Sequence, residues 1–397
     1  MTTDQIYDVV IIGGGVVGCA TLFHLINNGY NCIMLEKNKD LVAEASAGNS
    51  GMLHTGFDAP LGSLELHCIQ QCQLHIFDIL NKLDLPYNRI GATMVAWDSA
   101  QMSKLPKIMQ HSRISNLSEI NQLSLSELYQ REPNLSRNAT GAIHIPGETI
   151  VDPWLTPMVM AEHARIRGAK IYTRNIGSKI VINCSGLYGD IVEKIAGYSS
   201  FKIKPRKGQY LIFNKTAKDV ISSSILPVPT EITKGVIVFK SVYDNVIIGP
   251  TAEETEDRHP SPTIDSVITK RLWNHGKKTV PSLLKHDIVH MYTGVRPATE
   301  NKDYQIIARP DRNWLTVGGI RSTGLSGCIG IANHILSQVK DKFGIEPSKS
   351  SWETIQKVNF KFTKNGTVMF PYGIEHLITH PLTFTGVTRQ MISQSNL

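Results

Sequence analysis

Tyr7-Asp8-Val9-Val10-Ile11-Ile12-Gly13-Gly14-Gly15-Val16-Val17-Gly18 decides the fold. Its first half is β-rich, apolar and bounded by glycine, as a strand buried in a parallel sheet must be. Its second half has the pattern Gly13-x-Gly15-x-x-Gly18. Val17 to Ile26 then reads as a helix ending at Asn27-Asn28-Gly29, and Asn31-Cys32-Ile33-Met34-Leu35-Glu36 as a second strand. This is a βαβ start of about 30 residues. In such a turn Gly13 permits the tight bend, Gly15 lets the backbone approach a pyrophosphate, and Gly18 lets helix and strand pack closely. The helix N-terminus offers N–H groups and a partial positive charge to phosphates. Glu36 ends the second strand about 20 residues on, where it can accept a ribose hydroxyl hydrogen bond. An acid there disfavours a 2′-phosphate, so NADP is not expected. These residues alone leave NAD and FAD both open.

Downstream, Ser63 to Leu83 reads as a helix and Ile90 to Trp97 as a strand. Leu123 to Arg131 is a short helix stopped at Glu132-Pro133, and Thr156 to Arg167 a helix ending at Gly168. Ile180-Val181-Ile182-Asn183-Cys184 is a buried strand running into Ser185-Gly186. β-Branched strands dominate Gln209 to Pro250. Trp314-Leu315-Thr316-Val317 is a late strand, followed by Gly318-Gly319 and a helix near Ile329 to Val339. The order α/β, β-rich, α/β predicts a Rossmann-type dinucleotide-binding domain interrupted by a β-sheet-rich substrate domain. The boundaries predicted are 1–85, 150–200 and 285–344 for the first, and 86–149 and 201–284 for the second. Residues 345–397 form a C-terminal extension of no assigned role, in which Lys364-Asn365-Gly366 has hairpin-turn chemistry.

Composition excludes several classes. Hydrophobic residues make up 41% and charged residues 19% of the 397, as in globular proteins generally. No run of eighteen apolar residues occurs, so no membrane span is expected. The glycine motif begins close to Met1, which leaves no room for a leader and predicts a cytoplasmic protein. The net charge of +7 suits a nucleic acid, a membrane surface or an anionic substrate. No Lys/Arg block or nucleic-acid motif appears, so the expectation is a mildly basic enzyme without a nucleic-acid partner. The six cysteines are scattered in apolar company and read as reduced thiols. Cys68 and Cys72 have helical i,i+4 spacing but no second ligand pair, so no metal is expected.

Four motifs in order resemble the FAD-dependent oxidoreductases of the D-amino-acid oxidase superfamily. They are the glycine turn, Glu44-Ala45-Ser46-Ala47-Gly48-Asn49-Ser50-Gly51-Met52-Leu53-His54-Thr55-Gly56, the strand ending in Gly186, and Gly318-Gly319-Ile320-Arg321-Ser322-Thr323-Gly324-Leu325. The resemblance spans roughly residues 5 to 340 and implies FAD as the cofactor. It implies that the segment with Asn49 and Ser50 runs past the flavin. It also implies that Gly186 lies near the phosphates, and that the backbone through Gly318, Gly319, Gly324 and Leu325 faces the flavin's pyrimidine end.

Within the superfamily, His54-Thr55-Gly56-Phe57-Asp58-Ala59-Pro60 resembles both glycerol-3-phosphate dehydrogenases and L-2-hydroxyglutarate dehydrogenases. Lys207-Gly208-Gln209-Tyr210, Gly249-Pro250-Thr251-Ala252-Glu253, Arg131-Glu132-Pro133-Asn134-Leu135 and Ile150-Val151-Asp152-Pro153 look most like the glycerol-3-phosphate dehydrogenase large-subunit type. Lys240 stands where that type usually has proline, and its C-terminal iron–sulphur cysteine cluster is missing. The resemblance makes Arg296, in Tyr292-Thr293-Gly294-Val295-Arg296-Pro297, the substrate-anion ligand, with a guanidinium fork that suits carboxylate or phosphate. Arg321 is a second candidate cation; either arginine could instead make a structural ion pair. His54 is the candidate general base for removing a hydroxyl proton while hydride passes to the flavin; it could instead only hydrogen-bond backbone or flavin. Where the sarcosine-oxidase branch often has a flavin-bonded cysteine, this chain reads His290-Met291-Tyr292-Thr293, so non-covalent FAD is expected.

The expected reaction is oxidation of a small anionic 2-hydroxy compound, glycerol 3-phosphate favoured. The alternatives are L-2-hydroxyglutarate, an amino acid or amine, or a catalytically impaired flavin-binding variant. The electron acceptor is left open between oxygen, quinone and a partner protein, and a peripheral membrane contact stays possible. Family members carry a β-meander between positions corresponding to Arg174 and Ile180, which this chain lacks; its loss predicts exposed apolar sheet and weaker FAD binding. Ser395-Asn396-Leu397 faintly resembles a peroxisomal signal and departs from it at the middle residue.

Overall fold

The computed structural model describes residues 6–115, 120–172, 178–230, 235–259 and 263–394. β1 (Tyr7–Ile12) runs into the glycine turn, α1 (Val16–Asn27) follows, and β2 (Cys32–Leu35) pairs parallel with β1, Val9 opposite Cys32. α2 (Leu64–Lys82) is capped by Ser63, whose Oγ accepts the Leu66 N–H at 3.1 Å. α3 (Leu155–Ile166) leads to β3 (Lys170–Tyr172), and β4 (Ser178–Asn183) returns beside β1. β5 (Gln305–Arg309), β6 (Trp314–Gly318) and α4 (Gly324–Asp341) complete the unit. The sheet order is β5-β6-β4-β1-β2-β3, parallel except for the antiparallel edge pair β5–β6.

Alternation along β1 sends Val9 and Ile11 into one core with Leu22 and Phe23 of α1, Cys72 and Ile76 of α2, and Ile331 and Ile335 of α4. α2 and α4 meet backbone to backbone at Gly330, where a Cβ would lie 2.0 Å from the Cys68 carbonyl oxygen. The second sheet has nine strands among the described residues. Its spine is the pair Ile203–Phe213 and Ile288–Thr299, antiparallel along nearly their whole length with Tyr210 opposite Tyr292. Ala92–Ala96, Gly141–Ile145, Ser224–Pro227, Ile237–Lys240 and Val246–Gly249 extend it. The α/β class and the presence of a sheet-rich unit are as the sequence predicts, whereas Ile288–Thr299, which the predicted bounds give to the first unit, lies in the second sheet.

Some boundaries move for local reasons. The late helix starts at Gly324, not near Ile329, because Gly324, Ser326 and Gly327 are weak helix formers that hide its first turn. The short helix is Leu125–Arg131, with Ser124 and Glu127 in a reciprocal capping box, and Leu123 belongs to a strand. Residues 173–177, including Arg174 where the missing meander would begin, lie outside the described residues, as does Ser395-Asn396-Leu397. On the face of the six-stranded sheet turned from α1, Tyr7, Val10 and Ile33 are buried while Ile12, Leu35 and Val181 are half-buried. The predicted apolar exposure is thus partial.

The C-terminal extension is an integral layer. Lys361–Phe362, Thr367–Phe370 and Ile374–Leu377 form an antiparallel sheet, with its first turn at the predicted Lys364-Asn365-Gly366. Val368, Phe370 and Ile378 enter the same core as β1. α5 (Pro381–Gln394) then packs against the second sheet.

Candidate active site and cofactor cleft

A cleft of about 580 Å³ lies between the glycine turn and the second sheet, inside the range of roughly 300–1,000 Å³ typical of ligand sites. Its end at the glycine turn is shaped by glycines. Gly13 has φ +106°, and a Cβ there would sit 2.6 Å from the Cys184 carbonyl oxygen. A Cβ on Gly18 would lie 1.9 Å from the Gly13 carbonyl oxygen, so Gly18 serves helix–strand packing and is not a cleft wall. Gly15 opens α1 onto the cleft with no side-chain cap of its own. Ser46 Oγ accepts the Val16 N–H at 3.0 Å and ties the following loop to that helix end. Gly186, also in the left-handed region at φ +53°, lines the opposite wall with Ser185. Glu36 Oε2 accepts the Gly14 N–H at 2.7 Å and Oε1 the Asn38 N–H at 2.8 Å, which presents the carboxylate along the cleft at a fixed angle. A backbone cradle, a helix N-terminus and an adjacent carboxylate are the donor and acceptor set that a dinucleotide requires.

The loop from Ala45 to Ser50 forms a second wall. Asn49 holds it from within: Nδ2 donates to Ser46 O at 2.7 Å, and Oδ1 accepts the Gly51 N–H at 2.7 Å. Gly48 lies flat on Gly294, where a Cβ on either residue would come within 2.2 Å of the other's backbone. Gly324 and Leu325 line the cleft at the start of α4, but Gly318 and Gly319 do not. Gly318 accommodates the Phe201 ring, which a Cβ would approach to 2.3 Å, and Gly319, at φ +66°, turns the chain.

His54 lines the same cleft. Met52–Leu53 pairs antiparallel with Thr149–Val151, Leu53 opposite Thr149, and the next step of that register sets His54 against Glu148. His54 Nδ1 lies 2.8 Å from Glu148 Oε2, and Oε1 accepts the Thr55 N–H at 2.8 Å and the Thr55 hydroxyl at 3.0 Å. Glu148 is buried, and the Ser326 hydroxyl accepts the His54 backbone N–H at 2.8 Å. A carboxylate only accepts, so Nδ1 carries a proton and Nε2 is the basic nitrogen.

Two arginines stand directly opposite one another in the second sheet, Arg206 on Ile203–Phe213 and Arg296 on Ile288–Thr299, and both line the cleft. Glu254, in register with Arg206 on its other side, is exposed. The Arg296 guanidinium lies over Gly208, where a Cβ would come 2.5 Å from Nη2, and Nη2 donates to Thr251 O at 3.4 Å. Lys207-Gly208-Gln209-Tyr210 and Gly249-Pro250-Thr251 thus form the bed on which Arg296 rests. The Tyr210 ring stacks on Tyr292 with centroids 4.4 Å apart. Burial pushes both phenols up, Arg296 offsetting part of the effect at Tyr210. Arg321 and Lys302 sit at the rim of the same cleft, Arg321 Nη1 donating to Lys302 O at 3.2 Å.

The structure therefore brings Gly13, Gly15, Glu36, Asn49, Ser50, His54, Gly186, Arg296, Arg321, Gly324 and Leu325 to one cleft. The sequence alone does not single out Ser46, Glu148 or Arg206. Ser46 and Arg206 sit inside or beside quoted motifs, whereas Glu148 gives no local signal. Among the described residues no group of His, Cys, Asp or Glu is arranged to hold a metal. No described helix is long and apolar enough to cross a membrane.

Comparison with known proteins agrees with this geometry. The glycerol 3-phosphate dehydrogenase of Caloramator mitchellensis is 28% identical over 356 residues, covering 84% of this chain and 74% of the relative. The glycerol 3-phosphate oxidase of Mycoplasma genitalium is 27% identical over 383 residues, covering 88% of this chain and all of the relative (100%). The solved L-α-glycerophosphate oxidase of Mycoplasma pneumoniae, with FAD bound, superposes with a TM-score of 0.81 at 26% identity, over 90% of this chain and 100% of that one. A family model described as FAD dependent oxidoreductase matches residues 8–338, from the second residue of β1 to near the end of α4. With that span and the cradle at Gly13 both in place, the chain belongs to the FAD-dependent oxidoreductase family and uses FAD.

Proposed function

We propose that the protein oxidises the hydroxyl of a small anionic 2-hydroxy compound, with glycerol 3-phosphate favoured. The observation that carries this reading is the joint placement of the His54–Glu148 pair and the Arg206–Arg296 pair in the cleft that the glycine turn opens. Bound FAD supplies the acceptor for the hydride. Arg296, held flat by Gly208 and Thr251, binds the phosphate or carboxylate with Arg206. Arg321 and Lys302 at the rim attract the anion. His54 takes the hydroxyl proton, and Glu148 holds the ring and balances the charge it gains. The glycerol 3-phosphate names of the aligned dehydrogenase and oxidases support the substrate choice.

Oxygen, a quinone or a partner protein serves as the final acceptor. FAD is bound non-covalently, since His290 is exposed and stands outside the cleft. All six cysteines are free and buried, which supports a reducing, cytoplasmic setting. The test is turnover with an artificial acceptor: glycerol 3-phosphate should exceed uncharged glycerol in kcat/KM by roughly a hundredfold or more, as loss of a charged hydrogen-bond partner requires. Equal use of the two would remove the anion-binding role.

A further inference from the structure

His380 of the C-terminal extension reaches the wall of the cofactor cleft. His380, at the start of α5, is fully buried and places Nε2 3.1 Å from the Asn49 carbonyl oxygen. Its Nδ1 accepts the Leu382 N–H at 3.1 Å, which fixes the tautomer with the proton on Nε2, as donor to Asn49. The Tyr292 hydroxyl donates to the same carbonyl at 3.2 Å, so both lone pairs of Asn49 O are used. The His380 ring meets the Tyr292 ring edge-on at 5.8 Å, and Tyr292 in turn stacks on Tyr210 beside Arg296.

The segment is anchored where it arrives. Thr383 Oγ1 donates to buried Asp152 Oδ1 at 2.7 Å, the Tyr243 hydroxyl donates to Oδ2 at 2.5 Å, and Lys215 Nζ donates to Gly386 O at 3.1 Å. Thr379 Oγ1 donates to Val42 O at 3.0 Å, just before the cleft loop begins. The same end of that loop is also held by Ser46 at the N-terminus of α1, whereas Asn49 lies at its far end.

We propose that His380 is a positioning residue for FAD: by locking the Asn49 carbonyl it fixes the loop from Ala45 to Ser50 against the cofactor and couples the C-terminal layer to flavin affinity. The proposal rests on the FAD cleft described above and not on the choice of substrate. Burial pushes the His380 imidazole down to about 3, so the ring stays neutral and keeps this tautomer at working pH.

Two amides separate the two hydrogen bonds. His380→Asn retains an acceptor near Nδ1 for Leu382 but is too short to reach Asn49, whereas His380→Gln carries an N–H to the position of Nε2. The dissociation constant of FAD is measured on purified holoproteins by dilution and ultrafiltration, beside their thermal midpoints. His380→Asn should weaken FAD by about tenfold, the cost of a buried hydrogen bond left unmade, and His380→Gln should stay within about threefold of the parent. A folded His380→Asn protein that holds FAD as tightly as the parent overturns the proposal, even if its thermal midpoint falls. Should His380→Asn not fold, Tyr292→Phe decides, since it removes the other donor to the same carbonyl and keeps the ring. The same tenfold loss is then expected, and an unchanged affinity overturns the proposal. A parent protein that binds no FAD would instead defeat the cofactor assignment itself.

Discussion

His54 Nδ1 and Glu148 Oε2 lie 2.8 Å apart although 94 residues separate them in the chain. The pair directs the basic nitrogen of His54, and mutation of either partner reports on it. His54→Gln should lower kcat for a hydroxy substrate by about 10²- to 10⁴-fold, the usual worth of a positioned base. Glu148→Gln should lower it by roughly tenfold to a hundredfold, because the amide no longer balances the imidazolium. Steady-state rates with flavin content held equal check both. Activity near the parent value in His54→Gln assigns His54 a structural role.

Two glycines shape the turn on which the proposed pyrophosphate site rests. Gly13→Ala forces a left-handed backbone on alanine and drives its Cβ against Cys184 O, and Gly18→Ala drives its Cβ into Gly13 O. Either substitution should leave protein that purifies nearly free of flavin. The ratio of flavin to protein absorbance measures it. Full occupancy in both variants would place the pyrophosphate elsewhere.

The arginine pair predicts a split between binding and turnover. Arg296→Lys loses the planar fork and should raise KM for an anionic substrate by about ten- to a hundredfold, with a smaller effect on kcat. Arg206→Gln should raise the same KM and leave the weak oxidation of uncharged glycerol nearly unchanged. Substrate-saturation curves for each variant test this. A fall in kcat alone would show that the pair does not hold the anion in the ground state.

Legibility in the sequence followed the range of the interactions. The strand Tyr7–Ile12 and the turn at Gly13 were readable because their chemistry is local: an apolar β-rich run, then glycines at fixed spacing. Glu36 was readable for the same reason. Glu148 was not, because two- and three-residue strands carry no periodicity, and only the long-range pairing of Met52–Leu53 with Thr149–Val151 aims it. Arg206 becomes visible as a partner of Arg296 only once Ile203–Phe213 is laid beside Ile288–Thr299. His380 sits in an extension whose role depends wholly on where it docks, and docking leaves no local pattern. Gly318 and Gly319 show the reverse: their motif was legible, but they shape the approach to the cleft and do not line it.

Two buried histidines predict the acid limb of stability. Burial pushes His163 and His380 down to about 3 in the folded protein, whereas the unfolded chain takes a proton near pH 6.5. Their contribution is complete above the unfolded value and is lost as pH falls from about 6.5 toward 3. Each supplies a slope of up to about 1.4 kcal/mol per pH unit inside that window. The urea midpoint should therefore drop clearly between about pH 7.5 and about pH 5, and less so in His163→Gln. A midpoint flat across that interval would mean that these imidazoles titrate normally in the folded state.

The most direct test of the proposed reaction is anaerobic mixing of the purified yellow protein with glycerol 3-phosphate, L-2-hydroxyglutarate and a panel of amino acids, followed by flavin absorbance. Glycerol 3-phosphate should bleach the flavin fully and fastest. Flavin that stays oxidised with both hydroxy compounds while an amino acid bleaches it would rule out oxidation of a hydroxyl as the reaction.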